Sequence, residues 1–408
     1  MHNINGGVIL RKKKHPRPPL DVDDPLFNYK FDDALHSGKL KSDLSIGHLL
    51  PADQADVIAL IKKYWTVFDD RGTFTPIVDY ECVIDTGTTA PIAIKKINYG
   101  TRETPIMRKC IAVLEKVGQI VQIHDGRWLF KALLAAKPHQ EHVSEIEYFV
   151  WCFRVNYIPL NQVTRLIAFP IPRCDMAVGM AFGSSQFLWM YDAPTGYHQL
   201  SVLPETQEKL AFQGPDAIKW TNTVMPFGPT NGPATFIQMI HDLDFAWKEL
   251  AKQCGLTIDD DTNTNIIVDD IFNWAKTFCQ ALLYMECQLR ICKAYQLTLS
   301  LKKSHFFPKR FEFVGINASA NGNQPAMSKH DLLRHWPIPE FVRDVASFVG
   351  FLQFYSNFIP HFEVRALPLC EIMTREYRTG WILVDTGGQL YIRGLEEIRP
   401  LRSMPSLF

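Results

Sequence analysis

No run of 18 or more apolar residues occurs anywhere in the 408-residue chain, so no membrane-spanning helix is expected and no membrane partner. The N-terminus, MHNINGGVILRKKKHPRPP, has no apolar core ahead of a cleavage site, which argues against a secretory leader and for an intracellular setting, cytoplasmic or nuclear. Nine cysteines are present, but no two stand in a CxxC spacing. A zinc site is therefore not expected, and reduced thiols are. Net charge is missing too: 43 Lys+Arg balance 43 Asp+Glu. Composition alone does not announce a nucleic-acid binder, although local basic clusters, not the total, decide phosphate contact. There is no internal repeat.

Apolar material is plentiful, at 47% hydrophobic and 12% aromatic residues, enough for a substantial core. Residues 1–54, with RKKKHPRPP and Asp/Gly/Ser-rich stretches, read as a flexible basic segment. Its basic run is open to two readings, a nucleic-acid contact or nuclear address and a solvated linker. Val57, Leu60, Ile61 and Trp65 recur at helical spacing, so 51–68 is expected to be a helix. Residues 105–123 read as an amphipathic helix running into a strand, and 146–228 as short strands broken by Pro and Gly. Helices are predicted at 232–250, with Pro233 at the first turn, at 279–297, and across 326–376. The acidic, turn-rich stretch 254–265 is expected to be a loop. Strands and helices alternate without a regular βαβ count, which gives an α+β class.

Two adjacent carboxylates stand out. In NIIVDDIFNW (265–274), Asp269 and Asp270 interrupt an apolar, strand-like run. Asp is depleted in strands and rarely buried unless paired. Like charges side by side repel, and either protonation or a divalent cation resolves the conflict. Successive strand residues face opposite ways, so a tight turn between Val268 and Ile271 is needed for both to reach one site. A further carboxylate comes from FLWMYDAPTGYHQL (187–200), where Asp192 follows another apolar run. Taken singly, VDD reads as a polar turn and Asp192 as a helix cap.

The blocks between and around these carboxylates change that balance. The order D…GYHQ…V.PE…K.AF…VMPFG.TN.PATF…VDDI, from Asp192 to Ile271, resembles the central motifs of the reverse transcriptase of gypsy-type LTR retrotransposons. WCFRVNYIPLNQVTRLIAFPIPR (151–173) resembles its fingers segment. LTLSLKKSHFFPKRFEFVGI (297–316) resembles its Lys-rich element and primer-grip hairpin, and residues 336–369 resemble its thumb. The resemblance covers roughly 55–400. It implies a right-hand polymerase fold: lead-in and first fingers at 55–145, fingers and palm at 146–322, helical thumb at 323–376, and at 377–408 a truncated connection towards an RNase H domain for which the chain has no room.

The resemblance also implies roles. Asp192, Asp269 and Asp270 would hold two Mg²⁺ ions, with Mn²⁺ as substitute, for nucleotidyl transfer from a deoxynucleoside triphosphate to a primer 3′-hydroxyl. Tyr197 would be a gate against the ribose 2′-hydroxyl. Met225, Pro226, Phe227 and Gly228 would pack beside the nucleotide, with Arg154 near its phosphates. Lys302, Lys303, Phe313, Val314 and Gly315 would meet primer and template, RNA or DNA. Trp336, Phe348, Phe354 and Tyr355 are expected in the thumb core, with Arg343 reaching the duplex backbone. The chain departs from the family pattern where Cys152 and Ile158 replace arginines, and where Ser356 does so in the thumb. These departures favour a second reading, a decayed retroelement fragment that folds and binds nucleic acid without polymerising. IDTG (84–87) and VDTG (384–387) have the form of aspartic-protease signatures, but the flanks of the first fit a strand leading into the polymerase. Oligomeric state is not legible.

Overall fold

The computed structural model describes residues 44, 46–68, 76–94, 98–136, 151–168, 187–194, 196–258, 262–267, 270–308, 310–313, 315–319, 322–339, 341–373, 381–384, 390–393 and 398–400. They fall into two compact units, one formed by 1–173 and 184–308, the other by 174–183 and 309–408. Among the described residues no helix is long and apolar enough to cross a membrane.

The first unit begins with helix α1 (Pro51–Lys63), which buries Val57, Leu60 and Ile61. It is shorter than the sequence predicts: the chain turns at Tyr64 into a 3₁₀ turn, Trp65–Val67. Strand β1 (Glu81–Cys82) follows, then α2 (Glu103–Lys116), β2 (Ile120–Ile123), β3 (Phe130–Ala136), β4 (Trp151–Val155) and α3 (Ile158–Val163). The central strand is β5 (Phe187–Asp192), followed by β6 (Ser201–Val202), α4 (Pro204–Gln207), β7 (Phe212–Gln213), β8 (Lys219–Asn222) and α5 (Gly232–Gln253). The unit ends with β9 (Thr262–Ile267), β10 (Asp270–Ala275), α6 (Phe278–Tyr295) and β11 (Ser300–Phe306). One five-stranded sheet has the order β2-β8-β7-β3-β4, and a four-stranded sheet has the order β11-β5-β10-β9.

The four-stranded sheet carries the site, and its residues explain its depth. In β5 the four residues Leu188 to Tyr191 are all buried, so the strand is covered on both faces and reads as a continuous apolar run. Trp189 and Tyr191 lie among the largest fully buried side chains, together with Phe272 of β10 and Phe306 of β11. Helix α6 packs here, and its start is set locally. The Thr277 hydroxyl accepts from Gln280 N (3.3 Å), while Gln280 Oε1 accepts from Thr277 N (3.1 Å), a reciprocal capping box.

The loop expected at 254–265 is corrected at its end, because β9 already begins at Thr262. The ladder to β10 claims it, with Ile266 opposite Ile271 and Thr264 opposite Asn273. Buried polar bonding overrides the turn-forming composition. The Thr264 hydroxyl donates to Asn273 Oδ1 (2.9 Å), and Gln288 Nε2 donates to the same two oxygens. Since Thr264 has spent its single proton, the Tyr284 hydroxyl donates to it, at 2.8 Å. Trp189 Nε1 donates to Gln288 Oε1 (3.1 Å), which joins β5, β9, β10 and α6 in one buried network.

The second unit contains β12 (Arg310–Phe313), β13 (Ile316–Ser319) and β14 (Gly322–Pro325) in one antiparallel sheet, and β15 (Trp381–Val384), β16 (Leu390–Arg393) and β17 (Ile398–Pro400) in another. The helical stretch predicted from 326 resolves into three helices, α7 (Met327–Arg334), α8 (Val342–Phe354) and α9 (Phe362–Ile372). Trp336 packs on Phe348 and Phe351, with ring centroids 5.3 and 5.1 Å apart, and Tyr355 packs on Phe354 at 4.9 Å. Tyr355 is buried, but Trp336, Phe348 and Phe354 are only half-buried, so these aromatics form a partly covered cluster and the buried core of this unit is Val342, Val345, Val349 and Leu369. Arg343 is exposed and sits over the Phe341 ring, 4.7 Å from its centroid.

Candidate active site

Asp192 is the last residue of β5 and Asp270 the first of β10, and the antiparallel ladder sets them directly opposite one another. Side chains so placed in an antiparallel pair lie on one face with Cβ atoms about 4.5–5.5 Å apart, and like charges there repel. The sequence builds this by ending one apolar strand on Asp and starting the next on Asp. Strand pairing then does what sequence adjacency could not. Asp269 lies outside the described residues, as does Val268; the strands on either side pair with Ile267 opposite Asp270.

A cation of the chain itself faces this pair. Lys303 Nζ is 3.5 Å from Asp192 Oδ1, with the lysine side chain 64% exposed and that of Asp192 only 17%. A β-bulge explains the approach. Ser300 pairs with Asp192 and His305 with Met190, so β11 sets Leu301 to Ser304 against Tyr191 alone. Asp192 N donates to Ser304 Oγ (3.4 Å), and Lys303 N donates to Ser300 Oγ (3.3 Å). Both Lys302 and Lys303 are exposed.

Beyond Asp192 the chain makes a 3₁₀ turn, Gly196–Gln199. A Cβ on Gly196 would stand 2.6 Å from Phe236 Cζ, so only glycine lets the turn lie against α5. Gln199 pins it by donating to Thr298 O (3.0 Å) and accepting from Thr298 N (2.8 Å). Tyr197, on this turn, contacts Phe227 and Phe236 with ring centroids 5.2 and 5.8 Å apart. Phe227 in turn touches His198 (5.1 Å) and lies under the Arg154 guanidinium, 4.6 Å from its ring centroid. Tyr197, Phe227 and Arg154, predicted from separate blocks, thus meet in one wall.

The VMPFG segment is held from below. Asn161 Nδ2 donates to Gly228 O (2.9 Å) and Asn161 Oδ1 accepts from Thr230 N (2.9 Å). Gly228 has φ +117°, and a Cβ there would meet Tyr157 Cδ2 at 3.2 Å. Pro226 is buried, and Met225 is fully buried with its N–H on Leu200 O, so the Met225 side chain belongs to the core. Cys152 and Arg154 share one face of β4 by strand alternation, and Ile158 is 65% exposed.

His198 was not singled out from sequence, where it reads as part of GYHQ. Burial pushes its pKa down to about 4, helped by the neighbouring Arg154 charge. Its folded-state pKa lies below the ordinary value of 6.5, so between these two the unfolded chain binds the proton that the folded one refuses. The neutral ring's contribution is complete above pH 6.5 and is lost as pH falls towards 4. We expect His198→Gln to flatten the acid slope of stability by about 1.4 kcal/mol per pH unit in that window. Urea unfolding at pH 7, 6, 5 and 4.5 for both proteins measures it, and parallel curves would refute it.

Phe313 and Gly315 lie in the second unit, and Val314 is outside the described residues. Phe313 pairs with Ile316. Gly315 has φ +79°, its carbonyl accepts from the Tyr355 hydroxyl (3.3 Å), and a Cβ would run into that hydroxyl and into Lys329 Cε. Of the protease-like motifs, Asp85 accepts from Gly87 N (2.8 Å) and pairs with Arg165 Nη1 (3.4 Å), a local turn with its own counter-ion. The second motif beyond Val384 lies outside the described residues.

Among the described residues no group of three or more His, Cys, Asp or Glu side chains gathers as a metal cluster. Asp192 and Asp270 nevertheless present hard oxygen donors, opposed in register at a strand end, which is the chemistry a divalent cation takes.

Residues 150–318 match the family model described as reverse transcriptase (RNA-dependent DNA polymerase). Among curated proteins the chain is 26% identical over 247 residues to a retrovirus-related Pol polyprotein from transposon 297 of Drosophila melanogaster, covering 60% of this chain and 22% of that one. It is 25% identical over 232 residues to a Tf2-3 transposon polyprotein of Schizosaccharomyces pombe, covering 57% and 16%. The chain thus spans less than a quarter of the length of these relatives. Among solved structures it superposes on the foamy viral protease-reverse transcriptase in complex with double-stranded DNA, with TM-score 0.71, 19% identity, and coverage of 92% of this chain and 60% of that one. The same viral protein in complex with an RNA/DNA hybrid gives TM-score 0.68 at 17% identity, covering 95% and 53%. The fold is the mixed helix-and-sheet polymerase fold of fingers, palm and thumb.

Proposed function

We propose that this chain is the RNA-directed DNA polymerase segment of an LTR-retrotransposon polyprotein, of the gypsy type, extending a primer on an RNA or DNA template. The observation that carries this reading is the register of Asp192 against Asp270, inside the region that matches the reverse-transcriptase model. Asp192, Asp269 and Asp270 are the residues that would hold divalent cations, Mg²⁺ or Mn²⁺. Such ions, when bound, neutralise phosphate charge and offset the repulsion between the carboxylates.

The rest follows from this chain's own groups. The Tyr197 ring, wedged between Phe227 and Phe236, is rigid enough to exclude a 2′-hydroxyl from the sugar site. Arg154, on the same strand face as Cys152, supplies a guanidinium where the usual arginine is missing. The backbone of Pro226 to Gly228, clamped by Asn161, gives the nucleotide a stiff flank. Lys302, Lys303, Phe313, Val314 and Gly315 are the groups that would meet primer and template, and the duplexes held by the foamy viral neighbours support a nucleic-acid duplex as partner.

The test is primer extension by the full chain on an annealed RNA template, with deoxynucleotides and Mg²⁺. Extension that is suppressed when ribonucleotides are substituted is the expected result. Duplex binding with no extension under Mg²⁺ or Mn²⁺ would overturn the reading and leave a nucleic-acid-binding relic in its place.

A further inference from the structure

We propose that Lys303 is a built-in counter-cation that competes with divalent metal for Asp192 and so lowers the metal affinity of the site; this rests on the polymerase reading above. Its ammonium lies 3.5 Å from Asp192 Oδ1, on the carboxylate that stands opposite Asp270 and would be a ligand of any divalent cation held there. A divalent cation takes a carboxylate oxygen at about 2.0–2.1 Å if it is Mg²⁺, which would set it and the ammonium at the same carboxylate as like charges. The two cannot share that carboxylate without repulsion, so part of the metal's binding goes into displacing the lysine.

The placement is a feature of the fold and not a chance of a long side chain. The bulge sets four residues of β11 against one of β5, and it is stitched down at both ends of the Asp192 contact. Ser304 Oγ accepts from Asp192 N and donates to Ser300 O (2.5 Å), while Ser300 Oγ accepts from Lys303 N. The backbone of Lys303 is therefore fixed over the strand end that carries Asp192. Its side chain stays 64% exposed and is free to swing into solvent, so the competition is reversible. Lys302, next along the strand, carries the same charge and is the natural control for the general field.

Mn²⁺ binding to the full chain, followed by the electron paramagnetic resonance signal of the free ion, tests this without any need for turnover. Lys303→Met is expected to bind Mn²⁺ about three- to tenfold more tightly than the parent, the range for one partly screened charge. Lys303→Arg, which keeps the charge, should bind like the parent, and Lys302→Met should shift binding less than Lys303→Met does. The gain should shrink as KCl is raised. Circular dichroism checks that each variant is folded, as expected for an exposed side chain. Unchanged or weaker binding by Lys303→Met would overturn the proposal, as would an equal gain in Lys302→Met, since the effect would then be a general field. Asp192→Asn separates the two levels. If it binds Mn²⁺ as the parent does, the metal site itself is wrongly placed and the polymerase reading fails first. If it loses binding while Lys303→Met changes nothing, only the role of Lys303 falls.

Discussion

Asp192→Asn should cut primer extension roughly a thousandfold or more while leaving the fold intact. Asparagine keeps the shape and the strand pairing but removes the charge that would bind a cation and balance the transferring phosphate. Stability should hardly move, because two small effects oppose. Removing one of two opposed carboxylates relieves repulsion by about 0.2–1 kcal/mol. Losing the pair with the exposed Lys303 costs about 0–1 kcal/mol. Urea unfolding without divalent cation should therefore place the variant within about 1 kcal/mol of the parent. Added Mn²⁺ should raise the melting temperature of the parent and not of the variant, because a ligand stabilises only the state that binds it. A variant that extends primers normally would remove Asp192 from the catalytic site, and one that unfolds outright would show it to be a structural residue.

Asn273→Leu is the substitution expected to cost most in stability. Asn273 is fully buried on β10, three residues along from Asp270, and its Oδ1 accepts from both Thr264 Oγ1 and Gln288 Nε2. Leucine branches at the same atom but accepts nothing, so inside the core the Thr264 hydroxyl loses its acceptor and the Gln288 amide keeps only Thr264 Oγ1. The expected loss is about 2–4 kcal/mol, read from the urea midpoint with unchanged m-value. Gln288→Leu removes that amide but leaves the Trp189 indole N–H without its acceptor, so the two losses should not add, and the double-mutant cycle reads the coupling directly. Purely additive losses would mean that the network does not act as a unit. Extension should fall as well, since the same bonds hold β9 and β10 in register behind Asp270.

How far the sequence reaches can be judged on these residues. The helix of α6, the apolar run of β5 and the helix following Pro233 were legible, because each depends on side chains a few positions apart. So was the chemistry: an Asp ending one apolar strand, a second Asp in another, and an aromatic five places on resembled one family in their order. Arg154, Tyr197 and Phe227 were each named in advance, though not that they touch. Three things were not legible. Thr262 to Asn265 reads as loop, but a ladder to β10 and a buried hydroxyl make it strand. Asn273 and Gln288 look like ordinary polar positions, and only packing reveals that they satisfy each other. The pairing of Lys303 with Asp192 depends on a bulge that no local preference encodes.

By itself, then, the sequence determined which groups are available and on what kind of element each sits, because propensity, capping and alternation are short-range effects. The tertiary structure alone decided which groups face each other. Strand register, a bulge and a buried polar network are set by contacts between segments far apart in the chain, and such contacts leave no periodic trace in either segment.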